Sequence, residues 1–508
     1  PPYRAARAVS RTSRDPPSPQ PSTMTTETPS STAAVTSPGR MPRIRGNDHA
    51  VLTPPPLGAW TPRLSVSVVI PAHRSQRTLD LTLAALAAQS YPAHLLEVIV
   101  ADDGSEPPLR IPEIAPERTR IVRCDPDGWG AAWACNSTVR VAEGEIVHRL
   151  DSDVIPYRRH VEALMRWHHL ADYLVVTGAL RFTEEDLPAP AEVHAAVAGD
   201  RAASLFDWAA SRPHAWIEEQ AAKTRDLRDA PIEAFKAHVG ASASMPAWLY
   251  RAAGGMDPEL PLGEDTEFGY RLAQQGAVFL RDVAAQAWHV GAHTMAHRGA
   301  EAKRHNWPLL AERVPALRWL RKHPRRHWLV PCVEVVVEVG DAPYEHVRAT
   351  ADAVLASTLP DVTVTLVGPW SAPPGGRRSP LDDPWLDLRL VRYTYEHEPR
   401  VRLAESVPPD SAPAMFRLTC PPGWAVAPDT LRTLVADSNK HVWGVACLAL
   451  AETPETVITA RLERTAAVTR ARHLRAPGED LDDVIDQVFG VHWLDGESYG
   501  FTWQGDPA

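Results

Sequence analysis

Apolar residues in this chain form short runs, separated by longer segments in which they recur at helical spacing. The short runs, which predict strands, are residues 66–70, 97–101, 120–123 and 145–150. Residues 79–86 and 131–142 lie between them and have the spacing of one helix face. Strands that alternate with helices predict an α/β fold with a mainly parallel sheet, covered by helices on both faces.

A second series of the same kind begins beyond residue 328. Residues 333–339 and 362–367 resemble the first two strands at an offset of about 267 residues. Residues 416–421 align with residues 148–153 at nearly the same offset. Weak similarity at a nearly constant offset is typical of a duplicated fold.

The second series lacks the acidic residues of the first. Thr419 and Pro421 stand at the positions of Asp151 and Asp153, and Gly368-Pro369 stands where Asp102-Asp103 would be. We therefore interpret the second series as a degenerate, non-catalytic copy. An unrelated α/β domain is the alternative.

Three parts of the chain follow from these patterns. Residues 1–62 are rich in Pro, Ser, Thr and Arg and poor in large apolar residues, which predicts disorder. Residues 63–328 form the first α/β domain, and residues 329–508 form a smaller second one.

Composition narrows the function classes. The 508 residues carry a net charge of −10, which argues against general nucleic-acid binding. We find no apolar run long enough to span a membrane and no signal-peptide pattern. The five cysteines have neither zinc spacing nor a disulfide framework, so the sequence predicts a cytoplasmic protein. The basic and aromatic residues 313–328 leave a peripheral contact with anionic lipid open, although a solvated connector is the favoured interpretation.

The most informative motif is Asp151-Ser152-Asp153, directly after the fourth predicted strand. Two carboxylates two residues apart at the carboxyl end of a strand can hold a hard divalent cation and, through it, a diphosphate. Taken alone, the motif would favour a helix N-cap region before Pro156.

Two further motifs carry acids. Asp102-Asp103-Gly104-Ser105 ends the second predicted strand, where a carboxylate can accept hydrogen bonds from a base or ribose, or can simply form a turn. Gly263-Glu264-Asp265 opens a predicted helix, where an acid can take a proton from an attacking hydroxyl or merely cap the helix. Residues 200–236, ahead of that helix, either shape an acceptor site or form a packing helix pair.

A histidine completes the set. His289 in Trp288-His289-Val290-Gly291-Ala292-His293 can join carboxylate and phosphate oxygens on one cation. His293 competes with it, and a packed histidine beside a tryptophan is the structural alternative.

This order of motifs resembles the family-2 glycosyltransferases, which have the GT-A fold. The motifs are Val68-Val69-Ile70-Pro71-Ala72-His73, Asp102-Asp103-Gly104-Ser105, Asp151-Ser152-Asp153, Gly263-Glu264-Asp265 and Trp288-His289. The resemblance covers roughly residues 64–300. It implies the Rossmann-like mixed sheet of nucleotide-diphospho-sugar transferases, followed here by the smaller C-terminal α/β domain.

The resemblance also implies a role for each motif. Contacts to the nucleotide sugar fall on Pro71, His73, Asp102, Asp103, Asp151 and Ser152. Asp153 and His289 become the ligands of Mn²⁺ or Mg²⁺, and Asp265, with Glu264 beside it, becomes the general base. The family inverts the anomeric centre in a single displacement.

Two features depart from the family pattern. Many relatives carry a basic residue before the Asn of the helix after the third strand, whereas here Cys135 precedes Asn136. The Gln-x-x-Arg-Trp segment of processive synthases is absent, apart from the fragment Leu317-Arg318-Trp319.

The sequence therefore predicts a metal-dependent inverting glycosyltransferase that moves a sugar from a nucleotide-diphosphate donor, a UDP-sugar first, to an unidentified acceptor. A nucleotidyltransferase of similar fold is one alternative, but it usually needs a Gly-rich basic loop, unlike residues 71–75. A non-catalytic nucleotide-sugar-binding protein is the other.

Overall fold

The first half of the protein is built around a nine-stranded sheet. The computed structural model describes residues 41–291, 294–323, 326–376 and 379–505, with the backbone alone at 294–296. The strands are β1 (Val66–Ala72), β2 (Leu96–Asp102), β3 (Thr119–Arg123), β4 (Ile146–Leu150), β5 (Val154–Pro156), β6 (Leu174–Thr183), β7 (Arg212–Pro213), β8 (Ser242–Pro246) and β9 (Val278–Val290). The helices are α1 (Gln76–Leu86), α2 (Ala131–Val139), α3 (His160–His168), α4 (Pro190–Ala198), α5 (Ala215–Lys223), α6 (Ala247–Ala252), α7 (Glu264–Gln274) and α8 (Thr294–Arg313).

The strand order of this sheet is β3-β2-β1-β4-β8-β6-β9-β5, with β7 on the edge of β6. Strands β3, β2, β1 and β4 run parallel, so their carboxyl ends meet at one edge. Strand β8 is antiparallel to β4 and β6, and β5 is antiparallel to β9. The sheet is therefore mixed, as expected, with its parallel half leading into the acidic motifs.

The second half contains a seven-stranded sheet and a two-stranded sheet. Its strands are β10 (Val333–Glu338), β11 (Val362–Val367), β12 (Val401–Ala404), β13 (Phe416–Thr419), β14 (Trp424–Val426), β15 (Val445–Glu452), β16 (Val457–Arg464), β17 (Val491–Asp495) and β18 (Phe501–Trp503). Its helices are α9 (Tyr344–Leu355), α10 (Leu386–Tyr395), α11 (Thr430–His441), α12 (Thr465–Leu474) and α13 (Leu481–Val488).

The seven-stranded sheet repeats the topology of the first sheet. Its order, β12-β11-β10-β13-β16-β15-β17, matches β3-β2-β1-β4-β8-β6-β9 position by position. Parallel and antiparallel pairings also agree, including the antiparallel entry of β16 beside β13. This agreement supports the interpretation of a duplicated fold, which rested only on weak sequence similarity.

The predicted alignment of the two copies is wrong by two residues at the fourth strand. Val66 of β1 pairs with Ile146, and Val333 of β10 pairs with Phe416, so Ile146 and Phe416 are equivalent. Continuing this register, the position of Asp151 is taken by Pro421. The sequence pattern missed the shift because both strands are short apolar runs that tolerate sliding.

Residues 41–62 correct the predicted extent of disorder, since they pack on the first sheet. Asn47 donates from Nδ2 to the carbonyl oxygens of Leu227 and Phe279 at 2.9 and 2.8 Å, and it accepts from the Phe279 N–H at 2.9 Å. Ile44 is fully buried. Composition alone does not reveal such side-chain hydrogen bonds; residues 1–40 lie outside the described residues.

The two sheets share a continuous apolar core, and the described residues between 41 and 505 form one compact unit. Arginines in and after α8 link the halves: Arg318 and Arg321 both pair with the buried Asp361 at the start of β11. Arg313 pairs with Asp257 at 2.6 Å. These pairs favour the connector interpretation of residues 313–328 over a lipid-facing one. Among the described residues, no helix is long and apolar enough to cross a membrane.

Candidate functional site

Asp151 and Asp153 occupy the tight turn that leads from β4 into β5. The backbone N–H of Asp151 donates to the Ala241 carbonyl at 3.2 Å, and the N–H of Val154 donates to the Asp151 carbonyl at 3.2 Å. The Asp153 carbonyl accepts from the Val290 N–H at 2.9 Å. Both carboxylates are thus fixed at the edge where the parallel strands end, as expected for ligand binding by an α/β sheet.

His289 reaches the same place from the far end of β9. Val154 of β5 pairs with His289, and the neighbouring Trp288 is fully buried with its indole N–H donating to the Ala202 carbonyl at 2.8 Å. The ring of Phe182 lies 4.7 Å from the imidazole, centroid to centroid. The ring of Phe182 and the buried neighbour Trp288 therefore orient His289, while the competing His293 lies outside the described residues.

Asp151, Asp153 and His289 converge, although 138 positions separate the first from the last. One ligand atom from each residue lies within 4.8 Å of the others. Nε2 of His289 is 3.7 Å from Asp151 Oδ2 and 3.5 Å from Asp153 Oδ1. These separations exceed hydrogen-bond lengths, and they match two ligand atoms that each lie about 2.1 Å from a shared ion.

The electrostatics of the three groups are interdependent. Burial favours the neutral acid, but Arg149 and His289 outweigh it and lower the pKa of Asp151 to about 2. Burial raises the pKa of Asp153; His289 opposes this and the like charge of Asp151 adds to it. Burial works against a charged His289, yet the two carboxylates prevail and raise its pKa. The cluster therefore holds positive charge strongly, as either a proton or a cation.

Arg149 is a site residue that the sequence analysis missed. Its guanidinium is 8% exposed and lies 3.1 Å from Asp151, 4.0 Å from Glu264 and 3.9 Å from Asp265. Nε and Nη1 of Arg149 have no hydrogen-bond partner among the described residues. An arginine inside a predicted strand offers no signal other than its position two residues before the Asp-x-Asp motif.

Glu264 and Asp265 form the first turn of α7 beside Arg149. Burial and the charge of Asp265 raise the pKa of Glu264 to about 8, and Arg149 only partly opposes this. Glu264 is therefore largely protonated near pH 7. Asp265 is about one quarter exposed, and its Oδ1 has no hydrogen-bond partner among the described residues.

Gly240 makes the approach of Arg149 and Asp265 possible. A Cβ atom at this position would overlap both the guanidinium of Arg149 and Oδ1 of Asp265. His238, two residues earlier, contacts the Asp265 carbonyl through Nδ1 at 2.9 Å. The loop before β8 thereby holds the start of α7 against β4.

The two acids after β2 have different surroundings. Asp102 is buried, and its carboxylate accepts from the N–H groups of Ser105 and Leu109 at 2.9 and 3.1 Å. Asp103 is partly exposed and accepts from the Gly130 N–H at 2.7 Å. Asp102 therefore holds the loop together, and Asp103 is the better placed of the two to meet a ligand.

The remaining predicted donor contacts lie at the same edge of the sheet. Pro71 is partly buried in β1, His73 is exposed, and Nδ1 of His73 lies 2.7 Å from the Asp103 carbonyl. Ser152 is partly buried in the turn between the two carboxylates. Their contacts with a nucleotide sugar stay predictions.

Residues 200–236 pack partly behind the cluster of Asp151, Asp153 and His289, which we call the metal-site candidate. The rings of Phe206 and Trp208 lie 5.5 and 5.8 Å from that of Trp288. Trp208 also lines a cavity of about 280 Å³ with Arg181, whose guanidinium lies 3.8 Å from the indole. The segment thus packs behind β9 and also borders a cavity, and its part in an acceptor site stays a prediction.

Residues 67–229 match the sequence model of glycosyl transferase family 2. The match covers 163 of the 508 residues. The predicted resemblance is thereby confirmed, and the mixed sheet with its acidic edge is the GT-A-like architecture that the resemblance implied, with a further α/β sheet following it.

Known relatives cover part of the chain. It is 27% identical over 361 residues to a chondroitin synthase from Escherichia coli, which covers 66% of this chain and 49% of that protein. A validoxylamine A glucosyltransferase from Streptomyces hygroscopicus subsp. limoneus is 28% identical over 289 residues, covering 54% of this chain and 60% of that protein. The chain thus spans about half the length of the synthase.

Among solved structures, a mannosyltransferase from Pyrobaculum calidifontis in complex with GDP-Man and Mn²⁺ is similar to this chain. The identity is 19%, the match covers 52% of this chain and 66% of that one, and the TM-score is 0.33.

Proposed function

We propose that this glycosyltransferase domain moves a sugar from a nucleotide-diphosphate donor to a hydroxyl acceptor, with a divalent cation and inversion of the anomeric centre. UDP-sugars are the donor class to test first. The convergence of Asp151, Asp153 and His289 within 4.8 Å is the observation that carries the proposal. Inversion follows from the resemblance to family 2.

The three side chains fit a divalent cation. Their donor set is two carboxylate oxygens and one imidazole nitrogen, and His289 Nδ1 has no hydrogen-bond partner among the described residues. A nitrogen ligand suits Mn²⁺ better than Mg²⁺, which prefers oxygen. When bound, such a cation offsets the negative charge that develops on a departing diphosphate.

Asp265 is the proposed general base. Its carboxylate is partly exposed at the start of α7, whereas the neighbouring Glu264 is buried and largely protonated near neutral pH. A protonated acid cannot accept the proton of an attacking hydroxyl. Glu264 therefore serves better as a hydrogen-bond donor or as a spacer that limits the negative charge beside Asp265.

Arg149 is the proposed basic partner of this acidic cluster. It lies against the thiol of Cys135, the position at which the family pattern led us to expect a basic residue in α2. Arg149 in β4 thus supplies the positive charge that Cys135 in α2 does not supply. We infer that Arg149 compensates for that departure by positioning Asp151 and Asp265.

Product analysis tests the proposal. The protein is incubated with a panel of nucleotide sugars, candidate hydroxyl acceptors and Mn²⁺ or Mg²⁺, so that the sugar passes to an acceptor or to water, and the released nucleotides are separated by chromatography. We expect nucleoside diphosphate from one donor, a dependence on added cation, and loss of both in Asp153→Ala. In a parallel incubation with nucleoside triphosphates and sugar 1-phosphates, release of pyrophosphate would support a nucleotidyltransferase, and no turnover in either incubation would support a binding protein.

A further inference from the structure

The two-stranded sheet of β14 and β18 repeats the arrangement that holds His289 in the first half. Val154 pairs with His289 between β5 and β9, and Trp424 pairs with Trp503 between β14 and β18 in the same antiparallel manner. Because β5 follows β4 as β14 follows β13, Trp503 occupies the position equivalent to His289.

Backbone hydrogen bonds confirm this equivalence. The N–H of Val290 donates to the Asp153 carbonyl at 2.9 Å, and the N–H of Gln504 donates to the Gly423 carbonyl at 2.8 Å. Val290 directly follows His289, and Gln504 directly follows Trp503. Asp153 directly precedes β5, and Gly423 directly precedes β14. Gly423 therefore stands where Asp153 stands in the first half.

The equivalent of the metal-site candidate has thus lost every charged ligand. Pro421, Gly423 and Trp503 replace Asp151, Asp153 and His289. A Cβ atom at Gly423 would overlap the indole ring of Trp503. The tryptophan ring therefore lies directly over the turn, in the place that a cation and a diphosphate would need.

Trp503 is the centre of an exposed aromatic group. It is 49% exposed, and its ring lies 5.6 Å from that of Trp424 and 5.0 Å from that of His346. Contiguous exposed aromatic groups, unlike single exposed rings, mark candidate binding surfaces. We call Trp503, Trp424 and His346 the aromatic platform.

The neighbouring nucleotide end of this crevice is closed. Gly368-Pro369 replaces Asp102-Asp103, and the following Trp370 is buried. The Trp370 indole N–H donates to the carbonyls of Leu366 and Ala404 at 3.2 and 2.9 Å. Buried in this way, the indole holds the end of β11, and no carboxylate stands at the positions equivalent to Asp102 and Asp103.

A pyranose ring has the chemistry that matches what remains. One face of many sugars consists of C–H groups that pack on an aromatic ring, while the hydroxyls at the rim stay in water or reach polar groups. We propose that the aromatic platform binds a sugar unit of an oligosaccharide, the acceptor or product chain of the first domain. This identity of the ligand rests on the proposed function; the binding surface itself does not.

Binding measurements test the proposal without turnover. The probes are chitotetraose, cellotetraose and the tetrasaccharides of hyaluronan and chondroitin, titrated by calorimetry against the full chain. At least one should bind with a dissociation constant below about 1 mM. Trp503→Ala should weaken that binding about tenfold or more, because the aromatic face is lost.

Trp493→Ala is the matched control. Trp493 is 65% exposed on β17 of the same half. We expect its replacement to leave tetrasaccharide binding within twofold of wild type. Trp503→Leu keeps an apolar side chain over Gly423 without an aromatic face, so it should lose binding even where Trp503→Ala fails to fold.

Two results would overturn the proposal: no binding of any of the four probes to the wild-type protein, or wild-type affinity in a folded Trp503→Leu. Asp153→Ala separates this proposal from the function of the first domain. It should retain tetrasaccharide binding, and if it also retained sugar transfer, the metal-site proposal would fail while the platform remained supported.

Discussion

The two halves of this protein share strand order and register but differ at the edge where the strands end. The first half places Asp151, Asp153 and His289 there, together with Arg149. The second half places proline, glycine, threonine and tryptophan at the equivalent positions. The same backbone can therefore carry a charged site or an apolar one, and the side chains at a few strand ends decide which.

The Gly-Glu-Asp sequence, present in both halves, shows how little a motif means without its surroundings. Asp265 begins α7 beside Arg149, 3.9 Å away. In the second half, Glu479 pairs with Arg43, and Asp480 caps α13 by accepting from the Asp482 N–H at 2.8 Å. Asp480 thus caps a helix, and Glu479 forms an ion pair with the segment before the first sheet.

The largest effect should come from removing one ligand of the metal-site candidate. Asp153→Ala should lower the turnover rate by about 1,000-fold or more, because a bound cation is worth several kcal/mol of transition-state stabilisation. Initial-rate measurements with saturating donor and Mn²⁺ check this. A rate within tenfold of wild type would contradict the assignment of a catalytic metal site to the first half alone.

The next effect concerns the proposed base. Asp265→Asn should lower the transfer rate by about 100-fold or more and leave donor affinity within about threefold, because only proton transfer is lost. Kinetics of transfer combined with donor titration separate the two quantities. Asp480→Asn is the matched change in the second half and should leave transfer unaffected; near-normal transfer in Asp265→Asn would mean another residue is the base.

A smaller effect is expected from the two buried arginines. Arg149→Gln and Arg417→Gln should each lower the free energy of unfolding by about 3 kcal/mol, because each removes a buried cation from a poorly solvated carboxylate. Arg417 pairs with Glu334 at 2.9 Å, away from the first site. Only Arg149→Gln should also weaken donor binding, as measured by calorimetry; equal donor binding in both variants would make Arg149 purely structural.

The smallest expected difference between the two halves is in how their stability responds to acid. His148, His160 and His168 are buried behind the first sheet, and the second half has Leu418, Thr430 and Ser438 at the corresponding positions. Burial lowers the pKa of His160 to about 4 and of His168 to about 3. The unfolded chain therefore binds protons below about pH 6.5 that the folded chain does not.

Stability should accordingly fall as the pH drops from about 6.5 towards 4, by up to about 1.4 kcal/mol per pH unit for each histidine. His168→Gln should reduce this slope in chemical unfolding at pH 6.5, 5.5 and 4.5. His397→Gln, at a side chain that is 90% exposed, is the control. An unchanged slope in His168→Gln would show that the buried histidines do not set the acid response.

The acidic motifs could be predicted from the sequence, because acids that directly follow apolar runs must meet where parallel strands end. The place of Arg149 in the site could not be predicted, since a charged residue inside a strand is ordinarily assigned to the solvent face. The segment around Asn47 was also misjudged, because its order comes from side-chain hydrogen bonds to distant backbone rather than from apolar content. The exact alignment of the two copies could be read only from the strand pairing in the structure.

The most direct test is the position of Mn²⁺ in crystals grown with Mn²⁺ and UDP, located by anomalous scattering. We predict one strong peak within about 2.5 Å of ligand atoms of Asp153 and His289, with none beside Gly423 and Trp503. A peak elsewhere, or none at these residues while UDP is bound, would contradict the assignment of the charged site to the first half.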